Sequence, residues 1–104
     1  MKIGFIGLGR MGYNMVLNLL EHKVKVVAYN RSPEPTKKLA RKGAEAAFSI
    51  EELVSKLRKP RVVWVMVPAG KPVDEVVSKL LKLMDKGDII IDGGNSFFKD
   101  SIRR

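Results

Sequence analysis

The sequence predicts an α/β chain built on a doubly wound, Rossmann-type parallel sheet with strand order 3-2-1-4-5, and three observations predict it. β-rich apolar runs alternate with amphipathic helical stretches along all 104 residues. Gly7-Leu8-Gly9-Arg10-Met11-Gly12 follows the first apolar run directly and opens the first helical stretch. The crossovers between strands are helical, and right-handed crossovers give a parallel sheet; the first three strands with the next two imply the order 3-2-1-4-5.

Residues 2–6 read as a buried strand. A helix follows over 10–20, where Met11, Met15 and Leu19 recur at i, i+4 and i+8 with Val16 and Leu20 beside them; that stripe reads as core. Residues 25–29 form a second strand rich in valine. Ser32 can cap the next helix with Pro33 at its first position, and Gly43 supplies a left-handed stop after about residue 42. Residues 44–48 are a short, weak strand. Ser49-Ile50-Glu51-Glu52 is a capping box, opening a helix that carries Leu53, Val54 and Leu57 and ends before Pro60. Residues 61–67 form a strand that is apolar from Val62 to Val67, as expected of a central strand covered on both faces. Pro68-Ala69-Gly70 is a loop. Residues 73–83 are helical, with Val73, Val76, Val77, Leu80, Leu81 and Met84 on one side and a stop at Lys86-Gly87. Residues 88–92 form the fifth strand, and Gly93-Gly94-Asn95 turns off it. Ser96 can cap a further helix that meets no stop signal. The sheet is therefore expected to be truncated after its fifth strand, with residues 1–104 forming a dinucleotide-binding domain at the front of a longer protein.

With no cysteine, the chain holds no disulfide, thiol nucleophile or cysteine-based metal site, and no metal site is expected. No apolar run approaches the ~18 residues of a membrane span, and no signal-peptide pattern precedes the first strand, so a cytoplasmic protein without a membrane partner is expected. Twenty Lys and Arg against eleven Asp and Glu give a formal charge of +9. The basic residues are spread over polar helix faces, which solvated lysine-rich surfaces explain best. An anionic small ligand is the second reading and nucleic acid the third, since the few aromatic residues suggest no base-stacking platform.

In such sheets ligands lie beyond the carboxyl ends of the strands. The glycine sequence there has a physical division of labour. Gly7 turns the chain off the strand, Gly9 leaves room for a pyrophosphate, and Gly12 lets helix and strand pack closely, while the helix start offers N–H groups and a positive dipole end. About 18 residues on, at the spacing of the ribose reader, stand Asn30, Arg31 and Ser32. An acid there would bind the ribose hydroxyls of NAD and repel a 2′-phosphate. A neutral Asn30, followed by an arginine that can pair with phosphate and stack on adenine, favours NADP, with NAD still possible. A surface turn favours the same residue types. Val67-Pro68-Ala69-Gly70 can lie against a nicotinamide ribose, and an ordinary strand-to-helix loop is an equally good reading. Asn95 offers both a donor and an acceptor. His22 reads as a solvated residue at the end of the first helix.

With these motifs in place, the chain resembles the amino-terminal domain of the 6-phosphogluconate dehydrogenases, within the broader β-hydroxyacid dehydrogenases. The likeness rests on Gly4-Phe5-Ile6-Gly7-Leu8-Gly9-Arg10-Met11-Gly12, Asn30-Arg31-Ser32, Met66-Val67-Pro68-Ala69-Gly70 and Ile89-Ile90-Ile91-Asp92-Gly93-Gly94-Asn95-Ser96. The last segment is the specific one; relatives acting on 3-hydroxyisobutyrate typically have Asp-Gly-Ser-Thr there. The resemblance implies cofactor contacts at Gly7, Leu8, Gly9, Arg10, Met11, Gly12, Asn30, Arg31, Ser32, Val67, Pro68 and Ala69, and contacts of Asn95 with both cofactor and substrate. It implies NADP-dependent oxidation and decarboxylation of 6-phosphogluconate to ribulose 5-phosphate in the pentose phosphate pathway. It also implies that the lysine base, the glutamate acid and the helical domain forming most of a homodimer all lie beyond residue 104, so that this chain alone is expected to be inactive. The alternatives are a cofactor domain of another β-hydroxyacid dehydrogenase and a non-enzymatic nucleotide-binding module. Three positions depart from the family pattern. Pro35 stands where many NADP-dependent members carry a lysine, for which Lys37 or Lys38 can substitute. Pro68 stands where longer members often have lysine. Lys23 stands where a glycine usually ends the first helix.

Overall fold

The computed structural model describes residues 2–66 and 71–92. The sequence readings at Val67, Pro68, Ala69 and Gly70, at Gly93, Gly94 and Asn95, and in the helix begun at Ser96 lie outside those residues. Nine elements follow in the order β1 (Lys2–Ile6), α1 (Arg10–Glu21), β2 (Lys25–Tyr29), α2 (Pro33–Ala40), β3 (Glu45–Ala46), α3 (Ile50–Ser55), β4 (Val62–Val65), α4 (Lys71–Leu83) and β5 (Ile89–Asp92). All strand pairs are parallel and the order is β3-β2-β1-β4-β5, as the sequence predicts. Gly4 pairs with Val27 on one side and Val63 on the other, which puts β1 at the centre.

Side chains alternate between the two sheet faces. One face carries Ile6, Val27, Val63, Val65 and Ile90, clustered with Leu53, Val54, Leu57, Leu80 and Met84 from and around α3 and α4. The other carries Ile3, Phe5, Val26 and Ala28, clustered with Val16 and Leu39 of α1 and α2. Here β4 departs from expectation. Val63 and Val65 are fully buried, but Val62, Trp64 and Met66 are only half-buried, because no helix among the described residues covers that face of β4 as α1 and α2 cover β1 and β2. Trp64 lies nearly parallel to Phe5 of the neighbouring strand, with ring centroids 6.3 Å apart.

The helix ends follow local chemistry. Ser49 Oγ accepts from the Glu52 N–H at 2.9 Å, the predicted serine cap, and Glu52 Oε1 reaches back as predicted but accepts from the Phe48 N–H at 2.8 Å, one residue before the cap. β3 spans two residues rather than the five expected, at the edge of the sheet, and Phe48 is exposed. α2 is regular to Ala40 and closes through Gly43 (φ 113°): Gly43 N–H donates to the Ala40 carbonyl and Ala44 N–H to the Leu39 carbonyl. α1 ends on the same pattern, with Lys23 N–H donating to Leu20 and Val24 N–H to Leu19. There the left-handed position, φ 65°, is held by Lys23. His22 is exposed beside it, its Nδ1 2.8 Å from the Asn18 carbonyl oxygen. α4 begins two residues earlier than expected, since a proline is tolerated in a first turn. Leu81, read as part of its apolar stripe, is 40% exposed at the stripe's edge.

β5 begins at Ile89 because Asp88 is occupied otherwise. Its buried carboxylate accepts from the Arg61 N–H (2.6 Å), Arg61 Nη1 (3.0 Å) and the Asp85 N–H (2.8 Å). Burial pushes the Asp88 carboxyl up, but those donors and the guanidinium charge outweigh it and hold the group below the usual carboxylate range.

Candidate functional site

At the carboxyl end of β1 the chain reverses direction in three residues. Gly7 adopts φ 100°, which a side chain would strain, while its N–H continues the ladder to the Tyr29 carbonyl at 3.0 Å. A Cβ on Gly12 would collide with the Gly7 carbonyl oxygen, so the helix reaches the strand only because residue 12 is glycine. A Cβ on Gly9 would meet nothing within 4 Å; the space above it is open. Gly9 is also the N-cap of α1, no side chain caps that end, and no acid stands in its first turn. The orphan N–H groups and the positive dipole end therefore face that space without competition. By contrast, α3 has its N-terminus filled by Ser49, Glu51 and Glu52.

Asn30 ties the turn after β2 to the glycine loop. Its Oδ1 accepts from the Leu8 N–H at 2.8 Å, and its Nδ2 donates to the Ser32 carbonyl at 3.1 Å. Leu8 itself is buried, so it offers the site backbone only. Arg31 projects from the turn, exposed, with no ion pair among the described residues.

These segments wall an open cavity of about 820 Å³. Of the residues predicted from sequence, Gly7, Leu8, Gly9, Arg10, Met11, Gly12, Asn30 and Arg31 line it. Ser32 does not; it occupies the N-cap of α2 without a side-chain bond. Val67, Pro68, Ala69 and Asn95 lie outside the described residues. Met11 is the correction. Its spacing places it in the core stripe of α1, yet it is 67% exposed on the cavity lip, because the first turn of α1 extends past the edge of the sheet.

Sequence reasoning missed the opposite wall. Tyr29 and Ile50 line the cavity, and α4 adds Glu75, Val76 and Lys79, which lie at i, i+1 and i+4 on one side of the helix. Nothing in local sequence marks them, for it is the fold that brings α4 across from Arg31. Lys79 Nζ lies 3.2 Å from Glu51 Oε2. The Glu51 carboxyl is held below its usual range, first by its own backbone N–H at the helix start and then by Lys79. Three cations against one carboxylate, Arg10, Arg31 and Lys79 against Glu75, give the cavity lining a positive balance suited to a polyanion. Among the described residues no group of three potential metal ligands occurs, and no helix is long and apolar enough to cross a membrane.

A family model described as the NAD binding domain of 6-phosphogluconate dehydrogenase matches residues 2–104. The chain belongs to this family. A 6-phosphogluconate dehydrogenase, decarboxylating, from Chlamydia muridarum is 48% identical over 107 residues, covering 98% of this chain and 22% of that protein. Among solved structures, the Plasmodium falciparum 6-phosphogluconate dehydrogenase, studied in apo form and with NADP+ and 6-phosphogluconate, superposes with a TM-score of 0.83 at 42% identity. It covers 91% of this chain and 22% of its own. A Mycobacterium tuberculosis 3-hydroxyisobutyrate dehydrogenase matches more distantly, with a TM-score of 0.77 at 28% identity over 88% of this chain and 30% of its own. The chain thus spans about a fifth of the length of its 6-phosphogluconate dehydrogenase relatives. The sheet order, the glycine loop and the open helix start are the features of a dinucleotide-binding domain of this family.

Proposed function

We propose that this chain is the NADP-binding domain of a decarboxylating 6-phosphogluconate dehydrogenase. The observation that carries the reading is the turn after β2, where a neutral Asn30 is locked to the glycine loop and Arg31, which makes no ion pair among the described residues, stands at the cavity. No acid occupies the position that would repel a 2′-phosphate. In this reading the pyrophosphate lies over Gly9 and the first turn of α1, Arg31 pairs with the 2′-phosphate, and Arg10 adds positive potential. Met11, on the lip, bounds the cavity toward the nicotinamide end. Val67, Pro68, Ala69 and Asn95 complete that end, with Asn95 also meeting the sugar acid.

When bound, NADP supplies the hydride acceptor for oxidation of the 3-hydroxyl of 6-phosphogluconate, after which loss of CO2 gives ribulose 5-phosphate. This chain's share is binding and orientation, which remove much of the entropy barrier to hydride transfer. The proton-transfer groups, the homodimer and a cytoplasmic setting belong to the proposed whole enzyme. The NADPH fluorescence of the chain tests the site. It is expected to rise with saturation in the unmodified chain and to show no saturable binding in Gly9→Val, which fills the open space while leaving a folded domain. A folded Gly9→Val that binds as tightly as the original would place the phosphates elsewhere.

A further inference from the structure

The phosphate chemistry does not use the α4 wall. Among the described residues Glu75 is the one acid lining a cavity otherwise flanked by Arg10, Arg31 and Lys79, and no basic side chain among them pairs with it. A carboxylate in a polyanion site is repulsive unless it meets a hydrogen-bond donor of the ligand. Glu75 and Lys79 are one turn apart on α4 and present an acceptor beside a donor. Lys79 is held by Glu51 at 3.2 Å, which limits where its ammonium can go. Ile50 and Val76, both packed into the core, line the same cavity with apolar surface. The cavity thus combines apolar lining, the Arg31 guanidinium and an acceptor–donor pair one helical turn apart on α4.

Resting on the dinucleotide reading above, we propose that Glu75 and Lys79 read the edge of the purine, Glu75 accepting from the 6-amino group of adenine and Lys79 donating to ring N1. The pairing is directional. A 6-oxo purine such as hypoxanthine presents an oxygen acceptor to Glu75 and an N1–H donor to Lys79, so both contacts become repulsive, and the bond to ribose prevents the base from sliding to exchange them. The site is therefore specific for the base as well as for the phosphates. A merely solvated helix face would make no such distinction.

Fluorescence titration with NADPH and with its hypoxanthine analogue tests this. The unmodified chain is expected to bind the adenine form about tenfold more tightly, the scale of one charge-assisted hydrogen bond. Glu75→Gln, whose amide can turn to present either its oxygen or its NH2, removes the Glu75 share of the discrimination and is expected to lower the ratio to about threefold, the remainder being the clash of Lys79 with the hypoxanthine N1–H. Its thermal midpoint should be unchanged, because Glu75 is exposed and makes no ion pair among the described residues. Equal affinities in the unmodified chain, or a tenfold preference that survives Glu75→Gln, would overturn the base-edge assignment alone. Failure of both dinucleotides to bind would overturn the dinucleotide reading and this assignment with it.

Discussion

Asn30 holds its amide between the glycine loop and the β2–α2 turn, accepting from Leu8 and donating to Ser32. An aspartate keeps the first bond, cannot make the second, and brings a negative charge to where the 2′-phosphate is proposed to lie. Asn30→Asp is therefore expected to weaken NADPH binding by about tenfold or more while leaving NADH binding equal or better, as read by titration of each. An unchanged NADPH affinity would contradict it. Lys23 poses a stability question instead. Its φ of 65° puts a Cβ where glycine is preferred, in a helix end whose two closing hydrogen bonds are otherwise complete. Lys23→Gly relieves roughly 1–2 kcal/mol of strain against a somewhat smaller entropy loss on folding. A net gain of about 0.5 kcal/mol, or roughly 2–4 °C in melting temperature, is expected from thermal denaturation. At this scale the sequence is legible wherever a residue type has one local use. Gly7, Gly43 and Ser49 are such positions. Met11 is not, because periodicity assigns a face to a side chain without knowing where the sheet beneath it ends.

Among the elements, β5 shows what local pattern cannot convey. Asp88 reads as the polar first residue of an apolar strand. In the fold it is a buried anchor that satisfies Arg61 and Asp85 across a separation of 27 residues from Arg61. Its carboxyl lies below the ordinary range when folded. Its stabilising contribution is therefore complete above the unfolded value near 3.9 and is lost as pH falls through the folded value. Glu45, lowered chiefly by its bond to Lys2, and Asp85, lowered chiefly by Lys59, add in the same direction from more exposed positions. The melting temperature is expected to hold from neutral pH down to about 4 and then fall. Asp88→Asn should lower stability at pH 7 by about 2–4 kcal/mol, since it leaves the largely buried Arg61 charge only the more exposed Asp85 carboxylate at 3.7 Å, and should flatten the decline in acid. Melting curves between about pH 7 and pH 2 check both. The capping box of α3 and the paired ends of α1 and α2 are readable from sequence, because their hydrogen bonds close within about a turn and a half of helix. The shortness of β3 is not readable in the same way, because it depends on how far the pairing with β2 runs, and that pairing covers only Glu45 and Ala46.

For the whole molecule, alternation of strand and helix with right-handed crossovers gives a parallel sheet, the glycine-rich turn after β1 points to the Rossmann order among the doubly wound ones, and that order fixes where a ligand lies. One wall of the site is legible from that alone, since it follows β1 and β2 directly. The other wall, from Ile50 to Lys79, depends on how α4 packs beside α3 and over the sheet, and the sequence reads Val76 as core and Lys79 as solvated surface. The half-buried face of Val62, Trp64 and Met66 is hidden from sequence for the same reason, because strand hydrophobicity reports that a residue can be covered and not what covers it. The central claim is that the turn after β2 makes this a site for a 2′-phosphorylated dinucleotide. Calorimetric titration of the chain with NADPH and with NADH measures it. A preference for NADPH of roughly tenfold to a hundredfold is expected, the worth of a charge-assisted hydrogen bond, with most of it removed in Arg31→Ala. Equal affinities for the two dinucleotides in the unmodified chain would contradict the account.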